Sequence, residues 1–312
     1  MRIFILIVVL IILNFPTKAD QPVRLSQHQA LTGTDTYFMD PDWSPNGRTI
    51  LLTSKNYRGL FILDMRTRVV EKVSDAPAAG YWKSWSPNGD RIITIVSRFE
   101  SKRRQNSLQV IDPIKRTVDE ILPFGSGVPD HFGWIDNISI YYINDLKINM
   151  VNMDDSEMKR PKDRQIDKIV YHKGELIYKH FLDNKEKIKV GSASGEKLNL
   201  RVSPNGDRIV YEILGGHLWT SRLDGSELID IGIGYQPDWS PKGDKIAYII
   251  STDDGHDYTG SDIFMVNADG SKKVKITDTD DIIEMNPDWS PDGDHIVYNT
   301  YRDGIIYFIS IK

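Results

Sequence analysis

The sequence predicts an all-β protein folded as a β-propeller of seven four-stranded blades. A phrase built on Trp-Ser-Pro-x-Gly recurs along the chain at intervals of tens of residues, which is typical of propellers and other repeat proteins. An apolar alternation follows the copies, as in residues 91–95, and the clearest repeats contain a later Gly turn, as in residues 267–270. Four short strands separated by tight turns make one propeller blade.

The recurring phrase marks the first turn of five blades. In Ser-Pro-x-Gly, the proline sets φ near −65° and the glycine accepts a positive φ, so the phrase suits a tight reversal between the first and second strands. The five copies span residues 41–47, 85–90, 202–207, 237–244 and 287–294.

Two weaker repeats complete the predicted ring. Trp134 marks a degenerate sixth repeat, and residues 171–174 replace the phrase in a seventh repeat between Ile166 and Leu198. Seven blades over residues 20–312 would have about 42 residues each, a usual blade length. Six blades, with residues 160–200 as an insertion, are the alternative.

The two ends of the repeat region predict how the ring closes. The last repeat stops after its third strand, and residues 22–26 have the pattern of the fourth strand at residues 273–277. We therefore expect the N-terminal strand to pair with the final blade, which hides both sheet edges and closes the ring.

Residues 1–19 have the pattern of a secretory signal peptide. Arg2 precedes an apolar run at residues 3–13, and Pro16 and Ala19 follow it before the expected cut. That run of about 11 residues is shorter than the ~20 needed to span a bilayer, so we expect cleavage and no stable membrane insertion. The prediction is a leader, a propeller domain at residues 20–312, and a place in the periplasm or outside the cell. Without any cysteine, such a protein depends on its core and its ring closure for stability.

The repeats at residues 237–312 resemble the TolB-like β-propeller repeat family. They combine Pro-Asp-Trp-Ser-Pro-Asp-Gly-Asp with a segment Asp-Ile-Phe-Met-Val-Asn-Ala-Asp-Gly-Ser at residues 262–271. The resemblance is clear over residues 41–112 and 201–228 and weak over 113–200. TolB itself carries an α/β domain before the propeller, and here the repeats begin about 20 residues after the expected cut. The resemblance implies the propeller fold and the binding of peptide segments of partner proteins.

The sequence contains no recognisable catalytic or cofactor motif. The seven histidines are scattered without close metal-ligand spacing, and we expect no metal and no cofactor. Residues 191–195 fail the Gly-x-Ser-x-Gly pattern because Ala193 occupies the centre. A net formal charge of −5 argues against nucleic acid as a partner. These observations favour a binding protein over an enzyme, and a carbohydrate-active or metal-dependent enzyme with its site at the propeller axis is the alternative.

The recurrent tryptophans and aspartates are predicted to be structural. One tryptophan per blade at fixed register indicates packing between adjacent sheets rather than a ligand platform. These tryptophans are Trp43, Trp85, Trp134, Trp239 and Trp289. Aspartates after the turn glycines, such as Asp244, are expected to cap turns.

The variable loops are the predicted binding surface. Loops between the second and third strands and between blades share one face of a propeller, and binding residues concentrate on loops held by a rigid scaffold. The longest are residues 28–40, 74–82, 97–106, 123–133, 229–236, 251–261 and 278–286. The candidate binding residues are Tyr37, Phe38, Tyr81, Trp82, Arg103, Arg104, His131, Tyr235, His256 and Tyr258. The expected partner is a protein or peptide, with a small molecule or glycan in the axial channel as the alternative.

Overall fold

A computed structural model describes residues 28–125, 127–154, 166–183 and 186–311. These residues form seven antiparallel sheets, each a blade of a β-propeller, so the predicted seven blades are confirmed over six. The first strand of a blade lies at the axis, where it contacts the first strand of the neighbouring blade, as β24 (Glu284–Trp289) contacts both β2 (Phe38–Trp43) and β20 (Tyr235–Trp239). Within the described residues the one helical element is a 3₁₀ turn at Lys55–Tyr57.

The strands follow one another from the axis outward in each blade. Blade 1 contains β2 (Phe38–Trp43), β3 (Thr49–Ser54), β4 (Arg58–Asp64) and β5 (Val70–Ser74). Blade 2 contains β6 (Lys83–Trp85), β7 (Ile92–Glu100), β8 (Arg103–Asp112) and β9 (Thr117–Gly125). Blade 3 contains β10 (His131–Trp134), β11 (Ser139–Asn144) and β12 (Lys147–Asn152), and blade 4 contains β13 (Lys168–Lys173), β14 (Leu176–Phe181) and β15 (Lys187–Val190). Blade 5 contains β16 (Lys197–Val202), β17 (Arg208–Ile213), β18 (His217–Arg222) and β19 (Ile229–Ile233). Blade 6 contains β20 (Tyr235–Trp239), β21 (Lys245–Asp253), β22 (Tyr258–Asn267) and β23 (Val274–Lys275). Blade 7 contains β24 (Glu284–Trp289), β25 (His295–Thr300), β26 (Ile306–Ser310) and, from the N-terminal side, β1 (Gln29–Ala30).

Blades 3 and 4 have three strands each in the described part of the chain, where the sequence predicts four. In blade 4 only residues 191–196 separate β15 from the first strand of blade 5. Six residues are too few for a reversal and a further strand, because a tight turn already takes four of them.

An N-terminal strand closes the ring. β1 pairs antiparallel with β26, with Gln29 opposite Phe308, and the Leu31 N–H donates to the Ile306 carbonyl at 2.7 Å. The segment predicted for this role, residues 22–26, lies outside the described residues. In the part that the structure describes, Gln29–Ala30 supplies the outer strand of blade 7.

The core consists of apolar layers between neighbouring blades. The five recurrent tryptophans are each 9% exposed or less. Trp85, for example, packs with Leu51 and Leu60 of the preceding blade and Ile92 of its own. Its Nε1–H donates to the Asp42 carbonyl of blade 1 at 3.2 Å, so the indole also ties the two blades together.

Four first strands bend at the same register position. In each of them one residue adopts a positive φ near 50° and the pairing with the second strand shifts there, which defines a β-bulge. The bulged residues are Asp40, Asn199, Gln236 and Asn286. The bulge follows from the sequence, because three of these residues precede a proline that cannot donate to the ladder.

Two of the predicted long loops are mostly strand. In blade 2, β7 and β8 extend until a two-residue turn at Ser101 and Lys102, whose φ values of 49° and 64° are those of a type I′ hairpin. In blade 6, β21 and β22 extend in the same way to a turn at residues 254–257. The sequence did not indicate these hairpins, because residues 97–106 and 251–261 are mostly polar. Their side chains are polar because neither face of either hairpin end packs in the core.

Candidate functional site

Three aspartates at one repeat position line the propeller axis. Asp42, Asp238 and Asp288 lie on the first strands of blades 1, 6 and 7. Asp288 Oδ2 accepts from the Trp43 N–H at 2.7 Å, and Asp238 Oδ2 accepts from the Trp289 N–H at 2.8 Å. Two of the three carboxylates therefore join one blade to the next around the axis.

Burial raises the pKa of these carboxyl groups, so they ionise at a higher pH than an exposed aspartate does. Burial raises the pKa of Asp42 to about 6 against the opposing effect of the Lys83 ammonium. For Asp288, burial and then the charges of Asp238 and Asp42 raise the pKa well above its usual range. Arg201, at the same repeat position in blade 5, partly opposes these increases.

Hydrogen bonds between blades surround the aspartates. The Lys83 Nζ forms an ion pair with Asp40 Oδ2 at 2.5 Å, and the lysine side chain is 4% exposed. The Asn286 N–H donates to the Gln236 side-chain oxygen at 2.7 Å, and the Asp40 N–H donates to the Asn299 side-chain oxygen at 3.0 Å. The bulged residues thus connect neighbouring blades through their backbone N–H groups.

The opposite side of the axis is basic and imidazole-rich. His131 and His172 lie on the first strands of blades 3 and 4. Burial, then His172 and Arg201, lowers the pKa of His131 to about 4, so its imidazole is neutral at ordinary pH. No group of three or more potential metal ligands occurs among the described residues. We call the polar side chains of the first strands the axial ring: Asp40, Asp42, Lys83, His131, His172, Arg201, Asp238 and Asp288.

Aromatic side chains form a continuous belt on the long-loop face. This face carries the loops between second and third strands and between blades. The aromatic belt crosses blades 6, 7, 1, 2 and 3 and consists of Tyr258, Tyr301, Tyr37, Tyr57, Tyr81, Trp82 and Phe132.

Contacts between blades hold the belt together. The rings of Tyr258 and Tyr301 lie 5.1 Å apart, and the Tyr37 hydroxyl donates to the Tyr301 carbonyl at 2.8 Å. The rings of Tyr57 and Tyr81 lie 5.0 Å apart across blades 1 and 2. Each contact therefore joins residues of adjacent blades.

The same chain of contacts continues into blade 3. The rings of Tyr81 and Trp82 lie 5.2 Å apart, and those of Trp82 and Phe132 lie 6.5 Å apart. Tyr81 is 53% exposed and Trp82 is 42% exposed, so the middle of the belt is open to solvent. Two adjacent large aromatic side chains that remain this accessible are typical of an interaction surface.

The belt lies close to the acidic side of the axial ring. Burial and then the Asp40 carboxylate raise the pKa of the Tyr57 phenol, which places the phenol near that carboxylate. The belt therefore approaches the axial ring where Tyr57 lies near Asp40.

Hairpins of opposite charge project beside the belt. The basic tip, residues 98–104 of blade 2, carries Arg98, Lys102, Arg103 and Arg104 against one acid, Glu100. The acidic tip, residues 253–257 of blade 6, carries Asp253, Asp254 and Asp257.

The structure places eight of the ten predicted site residues in four groups. Tyr37, Tyr81, Trp82 and Tyr258 belong to the aromatic belt, Arg103 and Arg104 to the basic tip, His256 to the acidic tip and His131 to the axial ring. Tyr235 is half-buried against the core between blades 6 and 7, as Tyr258 and Tyr301 of the belt are, but no aromatic contact joins it to the belt within the described residues. Phe38 is 6% exposed and packs in the core against Phe61, so we leave it out of the surface.

Sequence reasoning missed Tyr57, Tyr301 and, apart from His131, the axial ring. Tyr301 directly follows the second strand of blade 7, and Tyr57 ends the 3₁₀ turn after the second strand of blade 1, in short loops that the variable-loop argument passed over. An aromatic residue at that junction is the sequence pattern that would have identified them. Asp42, Asp238 and Asp288 recur before the tryptophan of the repeat, but no local pattern shows that their carboxyl groups meet at the axis.

Within the described residues, no helix has the length and apolar character needed to cross a membrane.

Solved propeller structures are similar to this chain over most of its length. A structure named as a TolB protein of Agrobacterium tumefaciens is 20% identical, with a TM-score of 0.56 over 91% of this chain and 93% of that chain. A TolB structure from Acinetobacter baumannii is 14% identical, with a TM-score of 0.50 over 78% of this chain and 55% of that chain. The β-propeller domain of Cps50 (Swd1) from Myceliophteria thermophila is 12% identical, with a TM-score of 0.61 over 93% of this chain and all 100% of that domain.

No protein-family model and no curated protein matches the sequence. At identities of 20% or less, the structural likenesses concern the fold alone. The chain therefore has the β-propeller fold, as the TolB structures and the Cps50 domain do.

Proposed function

We propose that this chain is an exported, non-catalytic binding protein whose partner is a protein or peptide. The partner lies on the long-loop face, over the aromatic belt and the mouth of the axial channel. The observation that carries the proposal is the belt itself, seven aromatic side chains contributed by five consecutive blades.

The composition and geometry of the belt favour a polypeptide partner. Tyrosine and tryptophan are enriched in the energetic centres of protein interfaces. The rings of Tyr57 and Tyr81 meet at 89° and those of Tyr258 and Tyr301 at 81°, edge to face. Rings packed edge to face present separate apolar surfaces with hydroxyl groups between them. They do not form the flat aromatic platform that would suit a sugar ring.

The axial carboxylates support a role without catalysis. Asp238 and Asp288 each accept a hydrogen bond from the backbone of the next blade, so one oxygen of each carboxylate joins two blades. His131 is held neutral in a buried position beside His172 rather than beside a carboxylate that would orient it as a base.

Binding experiments with belt variants test the proposal. Tyr81→Ala combined with Trp82→Ala removes the open centre of the belt. Cross-linking of the native protein in its host, followed by mass spectrometry, should detect a partner that this variant captures at least tenfold less, because truncating an interface hot spot costs about 2 kcal/mol or more.

The matched control changes an exposed apolar residue on the same face but outside the belt. Leu214 is 64% exposed in the loop between the second and third strands of blade 5. Leu214→Ala should capture the same partner as the unaltered chain. Equal capture by the belt variant would contradict the proposal.

Export is the part of the proposal that rests on residues 1–19 alone. Their basic start, apolar run and small residue before the expected cut are typical of a cleaved leader. N-terminal sequencing of the protein purified from its host should begin at Asp20. A chain that retains residues 1–19 and stays in the cytoplasm would contradict export.

A further inference from the structure

The aromatic belt extends between two hairpin tips of opposite charge. On blade 6, Tyr258 directly follows the acidic tip at residues 253–257. On blade 2, Tyr81 and Trp82 lead into the first strand of the blade whose hairpin carries the basic tip at residues 98–104. Blades 7 and 1 lie between them and contribute the intervening tyrosines.

Most cations of the basic tip have no acidic partner in the described part of the chain. Arg98 forms an ion pair with Glu100 at 3.2 Å and lies over the Phe124 ring at 4.2 Å. Lys102, Arg103 and Arg104 are exposed and form no ion pair within the described residues. The Arg104 guanidinium is oriented by hydrogen bonds to Ser97 and Asn106 at 3.0 and 3.1 Å, so at least one of these cations is held in position.

The carboxylates of the acidic tip likewise have no basic partner in the described part of the chain. Asp254 Oδ1 accepts from the N–H groups of His256 and Asp257, each at 2.9 Å, and these bonds hold the pKa of Asp254 below its usual range. Asp257 Oδ1 accepts from the Tyr301 hydroxyl at 2.5 Å, which joins the tip to the belt. Among the described residues, neither these two carboxylates nor Asp253 has a basic partner.

The two tips give the belt one acidic end, on blade 6, and one basic end, on blade 2. Complementary charge at an interface orients a partner and suppresses wrong partners more than it adds affinity. A polypeptide lying along the belt would therefore bind in one direction.

Resting on the proposed function, we propose that the aromatic belt binds an extended polypeptide segment with ends of opposite charge. Its acidic end lies over the basic tip of blade 2, and its basic end lies over the acidic tip of blade 6. The apolar middle of the segment contacts Tyr57, Tyr81 and Trp82.

A random peptide library tests this polarity without knowledge of the natural partner. Peptides of about 15 residues, which span roughly 50 Å when extended, are displayed on beads and selected on the immobilised protein. The peptides retained by the unaltered chain should carry acidic residues toward one end and basic residues toward the other, in one order.

Charge reversal at each tip assigns the two ends. Arg103→Glu with Arg104→Glu should shift the preference at the acidic end of the peptide toward basic residues, by about threefold to tenfold, the effect of one or two exposed ion pairs. Asp253→Lys with His256→Lys should shift the opposite end instead. Arg103→Gln with Arg104→Gln should abolish the first preference without reversing it, which guards against misfolding of the reversed variant.

A charge change away from the face is the control. Lys72 lies exposed on the outer strand of blade 1, and Lys72→Glu should leave the selected peptides unchanged. Retained peptides of uniform charge, or a preference that neither reversal alters, would overturn the proposed polarity and leave peptide binding intact. Retention of no peptide would contradict the proposed function as well.

Discussion

Gly304 supports the belt at the level of a single residue. It lies in the loop between β25 and β26 with a φ of 66°, and its carbonyl accepts from the Phe38 N–H at 2.9 Å. A Cβ at this position would lie 2.5 Å from the Tyr37 ring and 2.8 Å from the Phe38 backbone nitrogen. Glycine is therefore required both by the backbone conformation and by the approach of blade 1.

Gly304→Ala should destabilise the protein. The left-handed conformation and the displaced Tyr37 ring together should lower the free energy of unfolding by ~1–3 kcal/mol. Gly33→Ala is the control, because Gly33 has no atom within 4 Å of its Cβ position. Chemical denaturation measures both. Equal midpoints for the two variants would contradict the close approach.

Glu284 and Lys197 occupy the same repeat position in blades 7 and 5, and their surroundings differ. Each begins the first strand of its blade, and both are fully buried. The Lys197 ammonium donates to the carbonyls of Ala193 and Gly195 at 2.5 and 2.6 Å. Burial raises the pKa of Glu284 to about 7, so this carboxyl is largely protonated below neutral pH. The sequence does not predict that either side chain is buried, because charged residues are expected to be exposed to solvent.

At the scale of elements, β1 and the residues after it close the ring. Leu31, next to β1, is 7% exposed and packs with Trp43 and Ile306 between blades 7 and 1. The residue thus contributes to a core that joins the two ends of the repeat region.

Leu31→Ala should lower the free energy of unfolding by about 2–4 kcal/mol, as truncations of buried leucine do. Leu214→Ala, the same change at an exposed leucine, should alter it by less than about 0.5 kcal/mol. Thermal melts compare the two. Matching melts would mean that the N-terminal segment does not close the ring in solution.

The hairpin of blade 2 is the element that sequence analysis described least well. Residues 97–106 read as a polar variable loop, and the structure makes them strand up to the Ser101–Lys102 turn. Neither residue of this turn is the Asn or Gly that usually marks a type I′ turn. Because the turn lacks these residues and the hairpin has no face in the core, the sequence did not indicate the hairpin. The prediction nevertheless placed Arg103 and Arg104 on the long-loop face.

At the scale of the whole molecule, three like charges meet at the axis. Asp238 and Asp288 lie in successive repeats, and ring closure brings Asp42 of the first blade next to them. Their folded-state pKa values lie above the ordinary value for aspartate. The folded state therefore binds protons more tightly than the unfolded state, and the three carboxyls reduce stability as the pH rises from about 4 to above 6.

Asp288→Asn should remove part of this pH dependence. The amide keeps an acceptor for the Trp43 N–H and removes one of the three charges. The variant should therefore gain on the order of 1 kcal/mol relative to the unaltered chain at pH 8, and little at pH 4. Asp280→Asn, at an exposed carboxylate before β24, should show no such difference. Urea denaturation at both pH values checks this, and a variant that loses stability at pH 8 would contradict it.

The sequence by itself determined the architecture. The Trp-Ser-Pro-x-Gly phrase encodes a turn and a buried indole through local contacts, so its recurrence was enough to predict blades, their number and the face that carries the variable loops. The tertiary structure alone decided the site. Tyr37 and Tyr301 lie 264 positions apart and become neighbours only because the ring closes. The aromatic belt, the axial ring and the opposed tips are products of that closure, since no local pattern records which blades will meet.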